Sequence, residues 1–600
     1  MSRQAHGQVR RSQVVTTWGP GALLDLPNYS VIVGGLETWP RTTDLERVDE
    51  ARLARKLQLM TGVPNPQLFQ PPADTSAPWE ATRGIGVYRF PMWFLVQEKE
   101  KEGEGEVRKR SRRLVHRKAL DDKGKFEGCQ VVPTRFVRAC PRGHVDDLDW
   151  RAFVHRGEDP CRRQLWLAEY GTSGDLADLV VQCECGQNRS MLDAADPDLQ
   201  ALGTCRGRRP WLGQYASEPC NQPSRLLIRT ATNSYFPQIV SVLSLPERAS
   251  AVEDVVRELW ELLKIVESPE TLKVVKRYPE VTQRLGPFTD AEVLDTIEAL
   301  KLGRVDERPV KLVELDAILS APEGYGDDVP IDPDFHARRL PDSVWRRSTV
   351  SDGIESVVQL HRLREVMALA GFTRFEAVTP NIQGEYDTDV QIAQLALEPQ
   401  WFPAVENRGE GLFVQLRADA VKRWLEKPGV ETRLGDLVAG HDRWLERRAR
   451  KRDFPGGPYV LLHTLSHLLL QSLAMRCGYP ASSIRERIYA DSQGTRYGIL
   501  LYTGTPDAEG TLGGLVQEAR YIEQHLAQAL RSAALCSNDP ICAQHAPGQS
   551  LEERWLHGAS CHGCTLVAET SCEMRNDYLD RALVVPVLGV PDAAFFGLVE

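Results

Sequence analysis

The stretch CSNDPICAQHAPGQSLEERWLHGASCHGCTLVAETSC, residues 536–572, carries five of the thirteen cysteines of this 600-residue chain. Cys561-His-Gly-Cys564 is a Cys-x2-Cys knuckle, in which a tight turn aims both sulfurs at one metal ion. Cys536 and Cys542 lie just upstream, past the end of a helical pattern, and complete a closed set of four thiolates. Cys572 is a fifth candidate and can stand in for Cys542. The competing reading, cysteines buried as small hydrophobes, asks chance to gather five of them in one short span. A site of this kind organises a small domain, and zinc is the cofactor expected.

Working outward, seven further cysteines fall between Cys129 and Cys220. Cys183-Glu-Cys185-Gly186 is a short Cys-x-Cys element with a turn glycine, and Cys205 and Cys220 are its expected partners. Cys140-Pro-Arg-Gly-His144 is half of a second knuckle, with His155 and Cys161 as candidate partners. Four protein ligands leave no open position for water, so all these sites read as structural, with no hydrolytic zinc.

The bulk properties agree with a folded, reduced protein. The chain is 42% apolar, enough for sizeable cores, and its length suggests roughly three to five domains. No apolar run reaches the ~18 residues of a membrane span. The opening MSRQAHGQVRRSQ has no apolar core behind it, which argues against a secretory signal. A cytoplasmic location is expected, where clustered cysteines read as metal ligands rather than disulfides. The net charge of −10 excludes a protein that coats nucleic acid with its whole surface.

The fold class expected is mixed α/β and multidomain. Residues 1–245 read as a β-rich, zinc-binding region, 246–345 as a helical middle with a linker, and 346–600 as an α/β domain with the four-cysteine site. Ser30 to Val33 and residues 86–97, interrupted by Pro91, read as strands. Glu98 to Glu106 followed by Arg108 to Lys118 reads as an exposed hairpin or loop. Ser250 to Val266 has helical spacing with a capping box at Ser250 and Glu253. His361 to Ala370 and Arg417 to Lys427 read as helices, Tyr459 to Met475 as a strongly apolar helix, and Leu515 to Leu530 as a long amphipathic one.

Enzymatic signatures are missing. There is no phosphate loop and no nucleophile elbow, so no catalytic residue is assigned. His463-Thr-Leu-Ser-His467 places two histidines one helical turn apart, but a zinc protease needs Glu at 464. That segment reads as a core helix with inward polar contacts. Thr511 to Gly514, before a helix, suits a phosphate but more simply starts the helix. Asp146/Asp147 and Asp327/Asp328 keep a magnesium-dependent nuclease or hydrolase open as an alternative, and a purely structural scaffold is the other. Two basic clusters are candidate phosphate contacts: Arg108, Lys109, Arg110, Arg112 and Arg113, then Arg448, Arg450, Lys451 and Arg452. Trp211 and Tyr235 are candidate stacking residues for unpaired bases.

Long motifs resemble a known family. RRSQVVTTWGPGALLDLPNYSVIVGGLETW at 10–39, RFPMWF at 89–94, CPRGHVDDLDW at 140–150, CRGRRPWLG at 205–213 and TNSYFPQIVSVLSLP at 232–246 are similar to the DrmB proteins of the DISARM anti-phage system. So are LREVMALAGFTR at 363–374, GEGLFVQL at 409–416, YVLLHTLSHLLL at 459–470 and CHGCTLVAETSCEMRNDYLDRAL at 561–583. The C-terminal region is similar to the zinc-binding domain of MrfA-type repair helicases. The resemblance covers most of the chain and is weakest over 250–340. It implies an accessory subunit paired with a DrmA-like, Swi/Snf-type helicase that carries the ATPase. It implies DNA binding with a preference for ends bearing a single-stranded overhang, and association with a DNA methyltransferase of the same system. It carries the four zinc-binding cysteines onto Cys536, Cys542, Cys561 and Cys564. The first pair is spaced more widely than in MrfA, which leaves Cys542 against Cys572 open.

Overall fold

Short apolar runs separated by turn residues build antiparallel sheets in the first part of the chain, and longer apolar periods build helices in the second. The computed structural model describes residues 7–26, 29–72, 84–97, 110–157, 160–245, most of 252–301, 309–326, 334–386, 391–448, 452–491, 495–504, 514–549 and 553–598. Two compact units emerge. The first comprises residues 1–242, 366–378 and 387–406; the second comprises 243–365, 379–386 and 407–600.

In the first unit, a six-stranded sheet runs in the order Asn188–Ser190, Leu179–Cys183, Leu165–Glu169, Arg110–His116, Trp93–Gln97, Gln130–Pro133. Inward side chains Leu95, Leu114, Leu165, Leu167, Leu179 and Val181 pack on Trp150 and Phe153 of the Trp150–His155 helix. The segment expected as one strand at 86–97 is two, Val87–Arg89 and Trp93–Gln97, in different sheets. Pro91 lies between them and has no N–H to give a ladder.

The basic run Arg108 to Lys118 is not an exposed loop where it is described. Arg110–His116 is an inner strand, paired on one side with Leu165–Glu169 and on the other with Trp93–Gln97. Leu114 and Val115 are buried. The arginine stems lie along the sheet while their charged heads find carboxylates: Arg112 meets Glu169 at 3.2 Å and Arg113 meets Glu127 at 2.9 Å.

A second, three-stranded sheet pairs Phe136–Ala139 with Val145–Asp146 and with Arg225–Ile228. Arg374 anchors it from within. Its buried guanidinium donates to the carbonyls of Gly143 at 2.9 Å, Gly21 at 2.7 Å, and Ser234.

In the second unit, four short helices, Trp260–Leu263, Pro269–Val275, Pro279–Leu285 and Asp290–Lys301, share a small core of Val256, Leu263, Leu272, Val281 and Ile297. Its principal sheet holds Phe335–Arg339, the first part of the long strand Ile354–Thr373 and the last part of Trp401–Leu416, then Tyr497–Thr503 and Ile484–Ala490. His361 to Ala370, expected as a helix, is therefore strand. Residues 363–373 are buried without alternation, and such a run shows no period by which to tell a doubly covered strand from a buried helix. The region 246–345, expected as a helical middle with a linker, likewise includes the strand Phe335–Arg339. The Gly457–Cys477 helix packs its leucines against the sheet and against Ile522–Ala534. The long amphipathic helix expected from Leu515 is broken by a 3-10 turn at Ala519–Tyr521. Beneath the sheet, Glu314 accepts from Leu243 N, from both Arg487 donors at 2.6 and 2.8 Å, and from Tyr489 Oη.

Ser250, Glu253, Asp327, Asp328 and Thr511 to Gly513 lie outside the described residues. Among the described residues no helix is long and apolar enough to cross a membrane.

Arg374→Met keeps the bulk of the side chain and strands three buried carbonyls. It is expected to cost about 3–5 kcal/mol, read as a lowered urea midpoint at unchanged m-value.

Candidate metal centres

Among the described residues, three groups made only of cysteine and histidine each converge on one point. In the first unit, Cys140, His144, Cys205 and Cys220 form one group, and His155, Cys161, Cys183 and Cys185 form another. In the second unit, Cys536, Cys542, Cys561 and Cys564 form the third.

The third group is built from two turns. Cys564 N and Thr565 N both donate to Cys561 O at 3.0 Å, which closes the knuckle. Asp539 clamps the other turn by accepting from Cys536 N and Ala543 N, each at 3.0 Å. Cys536 and Cys561 sulfurs are 3.5 Å apart, Cys542 and Cys564 3.7 Å, and Cys561 and Cys564 3.7 Å. A tetrahedral zinc with Zn–S of about 2.3 Å separates its sulfurs by about 3.8 Å, so the donor set fits zinc. Backbone N–H groups of Asn538, Gly563 and Cys561 point at the sulfurs of Cys536, Cys561 and Cys564 at 3.3–3.4 Å. Such contacts favour the thiolate form.

The thiols share protons unevenly. Hydrogen bonding with Cys542 pulls Cys564 down to about 5, and the same bond, with burial, drives Cys542 far up. A bound cation would release the protons held there. Four thiolates around a divalent ion leave a net negative charge. Two guanidiniums answer it. Arg581 donates to Asp539 and Ala533 O, and Arg433 bonds Asp580 at 2.6 Å. Burial lowers the pKa of both, but carboxylate partners and the Cys542 sulfur outweigh it and hold them charged.

Cys572 lies outside this group; its sulfur is 3.1 Å from His463 Nε2. The wide spacing of Cys536 and Cys542 is accommodated by the Asp539 turn.

In the first unit the structure exchanges the expected partners. Cys140 and His144 join Cys205 and Cys220, and Cys183 and Cys185 join His155 and Cys161. Strand pairing is the reason. Phe136–Ala139 lies between Val145–Asp146 and Arg225–Ile228, which gathers the residues just beyond those strand ends: 140, 144 and 220. Leu165 pairs opposite Cys183, which brings Cys161 within 3.6 Å of the Cys183 sulfur.

Both groups fit zinc and have oriented imidazoles. His144 Nδ1 faces Cys140 and Cys205 sulfurs at 3.4 and 3.6 Å, while its Nε2 lies 2.8 Å from Glu218. Arg209 in turn holds Glu218 at 3.0 Å. His155 faces Cys185 through Nε2 at 3.3 Å and gives Nδ1–H to Arg151 O at 2.8 Å. In each ring the outer contact fixes which nitrogen keeps its lone pair for a metal. Gly143 and Gly186 take positive φ, +85° and +99°, where the knuckles turn. Hydrogen bonding with Cys140 holds Cys205 down to about 4.

Of the basic candidates, Arg112 and Arg113 are half-buried partners of Glu169 and Glu127. Arg452 is turned inward onto Thr379 Oγ1 at 2.6 Å and Pro380 O at 3.1 Å. Arg108, Lys109, Arg450 and Lys451 lie outside the described residues, and only the backbone of Arg110 and Arg448 is described. Trp211 and Tyr235 are buried against Phe372, with centroids 5.1 and 5.0 Å away, so they pack rather than offer stacking faces. Asp146 pairs with Arg138 at 2.9 Å, whereas Asp147 accepts from Met92 N at 3.0 Å, so the two carboxylates serve different partners. A feature that sequence reading passed over is a set of exposed arginines, Arg156, Arg162, Arg163 and Arg206, around the first unit's knuckles. Its signal was an Arg directly after His155, Cys161 and Cys205.

A four-cysteine site seated against an apolar helix corresponds to a known domain class. Residues 465–565 match the family model of the MrfA Zn-binding domain, and residues 10–236 match that of a domain of unknown function, DUF8724. Over 482 residues the chain is 32% identical to the DISARM protein DrmB of Bacillus paralicheniformis, covering 77% of this chain and 82% of that protein. The chain belongs to the DrmB family of DISARM proteins.

Glu218→Gln keeps the shape but weakens the hold on His144. It is expected to speed loss of one metal equivalent to a chelator, with affinity down about 10–100-fold. Cys561→Ser is expected to remove one zinc equivalent outright and expose the C-terminal segment to protease, read by elemental analysis and limited proteolysis.

Proposed function

We infer that this chain is a non-catalytic accessory subunit of a DISARM defence system that binds DNA together with a DrmA-like, Swi/Snf-type helicase. Family membership across three quarters of the chain carries the reading. Zinc, held at the three cysteine-rich groups, stiffens turns that have little apolar core of their own. The rigid surfaces dock the helicase and present arginines to phosphate. The helicase supplies ATP hydrolysis, and a DNA methyltransferase of the same system is a further partner. The chain acts in the cytoplasm, where its thiols stay reduced.

DNA ends with a single-stranded overhang are the proposed substrate. Phosphate contact falls to the basic segments around Arg108, Lys109 and Arg110 and around Arg448, Arg450 and Lys451. The exposed Arg156, Arg162, Arg163 and Arg206 join them. An acidic chain that uses local arginine patches should bind weakly alone and strongly beside a basic partner surface.

The test is fluorescence anisotropy of an overhang duplex across a salt series, with this chain alone, the helicase alone and the two together. Much tighter binding by the pair is expected. The triple variant R108E/K109E/R110E should lower the salt slope of the pair by about 1 for each phosphate that is no longer neutralised. A pair that binds no better than the helicase alone would favour a scaffold that never touches DNA. Magnesium-dependent cleavage by the isolated chain would favour a nuclease.

A further inference from the structure

The Gly457–Cys477 helix buries His463 and His467 one turn apart on one face. Thr464 stands where a metalloprotease carries its glutamate, and its hydroxyl is spent on Val460 O at 2.7 Å. The carboxylate arrives instead from the neighbouring strand. Glu486 of Ile484–Ala490 puts Oε1 3.0 Å from His463 Nε2 and 3.4 Å from His467 Nε2. Cys572, from the C-terminal segment, places its sulfur 3.1 Å from His463 Nε2. The four ligand atoms lie within 4.8 Å of one another. His463, His467 and Glu486 are closed to solvent, and Cys572 is 7% exposed.

The outer contacts decide which way each group faces. His463 Nδ1 meets Tyr578 O at 3.3 Å, and His467 Nδ1 meets Thr565 O at 2.9 Å. A carbonyl only accepts, so each Nδ1 carries a proton and each Nε2 is turned inward, where a neutral ring offers its lone pair. The Cys572 sulfur accepts from Asn576 N at 3.1 Å and Met574 N at 3.4 Å. The Ser466 hydroxyl takes Glu486 Oε2, and Glu573 N donates to Oε1 at 3.2 Å. Four possible ligand atoms therefore converge in a buried place, which is costly unless positive charge, as a metal ion or as protons, sits among them.

We propose that His463, His467, Glu486 and Cys572 form a closed binding site for a divalent first-row transition metal, zinc by preference of the donor set. Two neutral imidazoles, one carboxylate and one thiolate around a divalent ion sum to zero, the least costly charge to bury. Four mixed nitrogen, oxygen and sulfur ligands suit tetrahedral zinc. The carbonyls of Tyr578 and Thr565 then serve as the outer partners that ligating histidines require. With no position open to water, the ion fastens the helix, the strand and the C-terminal segment and performs no hydrolysis. This centre shares no ligand with the four-cysteine group. The rival occupant is protons alone, with Cys572 donating to His463 and an imidazolium at His467 facing Glu486.

The test is anomalous diffraction from crystals of the native full-length chain, purified without chelator, collected on both sides of the zinc, nickel, cobalt and iron edges. The expected result is a peak about 2.0–2.3 Å from all four ligand atoms. A peak at an edge other than zinc keeps the site and names its metal. No peak there overturns the proposal in favour of protons. As a second readout, Cys572→Ala and His467→Gln should each lose one metal equivalent per chain by elemental analysis, with the cysteine-rich groups still loaded. Unchanged metal content in both variants would also overturn it, and the native diffraction measurement decides the matter if neither variant folds.

Discussion

A polar group taken out of water must find a partner, and the Gly457–Cys477 helix buries four such side chains in succession: His463, Thr464, Ser466 and His467. Leaving any of them unmet would cost about 1–3 kcal/mol. The chain meets the demand by wrapping its last segment round the helix. Thr565 and Tyr578 supply carbonyls to the two rings, and Asp580 N donates to Thr464 Oγ1 at 2.9 Å. Asp580 then holds Arg433 and caps the turn at Ala582. The path that satisfies the helix also carries the Cys561–Cys564 knuckle to Cys536 and Cys542.

The first unit solves a different problem. Its strands are short and are joined by turns between residues 140 and 220. Two groups of three cysteines and a histidine sit at those turns. Each is backed by an outer contact, Glu218 for His144 and Arg151 O for His155. Arg374 reaches the Gly143 carbonyl in the middle of one knuckle. The ligands are thus positioned by strands and by a buried cation, which lowers the ordering cost of binding a metal.

Charge is distributed to the same end. The chain is acidic overall, yet arginines gather beside the ligand turns. Some are structural, as Arg209 on Glu218 and Arg581 on Asp539 are. Others are exposed, as Arg163 is, and as Arg162 is while it donates to Cys161 O at 3.1 Å. A local field of this kind acts over about 8–10 Å at physiological salt, so the net charge does not describe what an approaching phosphate meets.

The amino-acid sequence by itself determined the two cysteine clusters, the apolar helix at 459–475 and the family. Residue type, spacing and hydropathy are local properties, and Cys-x2-Cys or a leucine-rich helix reads the same in any surroundings. Periodicity failed where burial was two-sided, as at His361 to Ala370, and composition misled where arginine stems lined an inner strand, as at Arg112 and Arg113. Only the tertiary structure decided which ligands meet. Cys140 with Cys220, Cys161 with Cys183, and Glu486 with His463 are joined by strand register and by the turn of a helix. Their separations along the chain carry no trace of either, because pairing depends on which strands lie side by side and not on how far apart their residues were made.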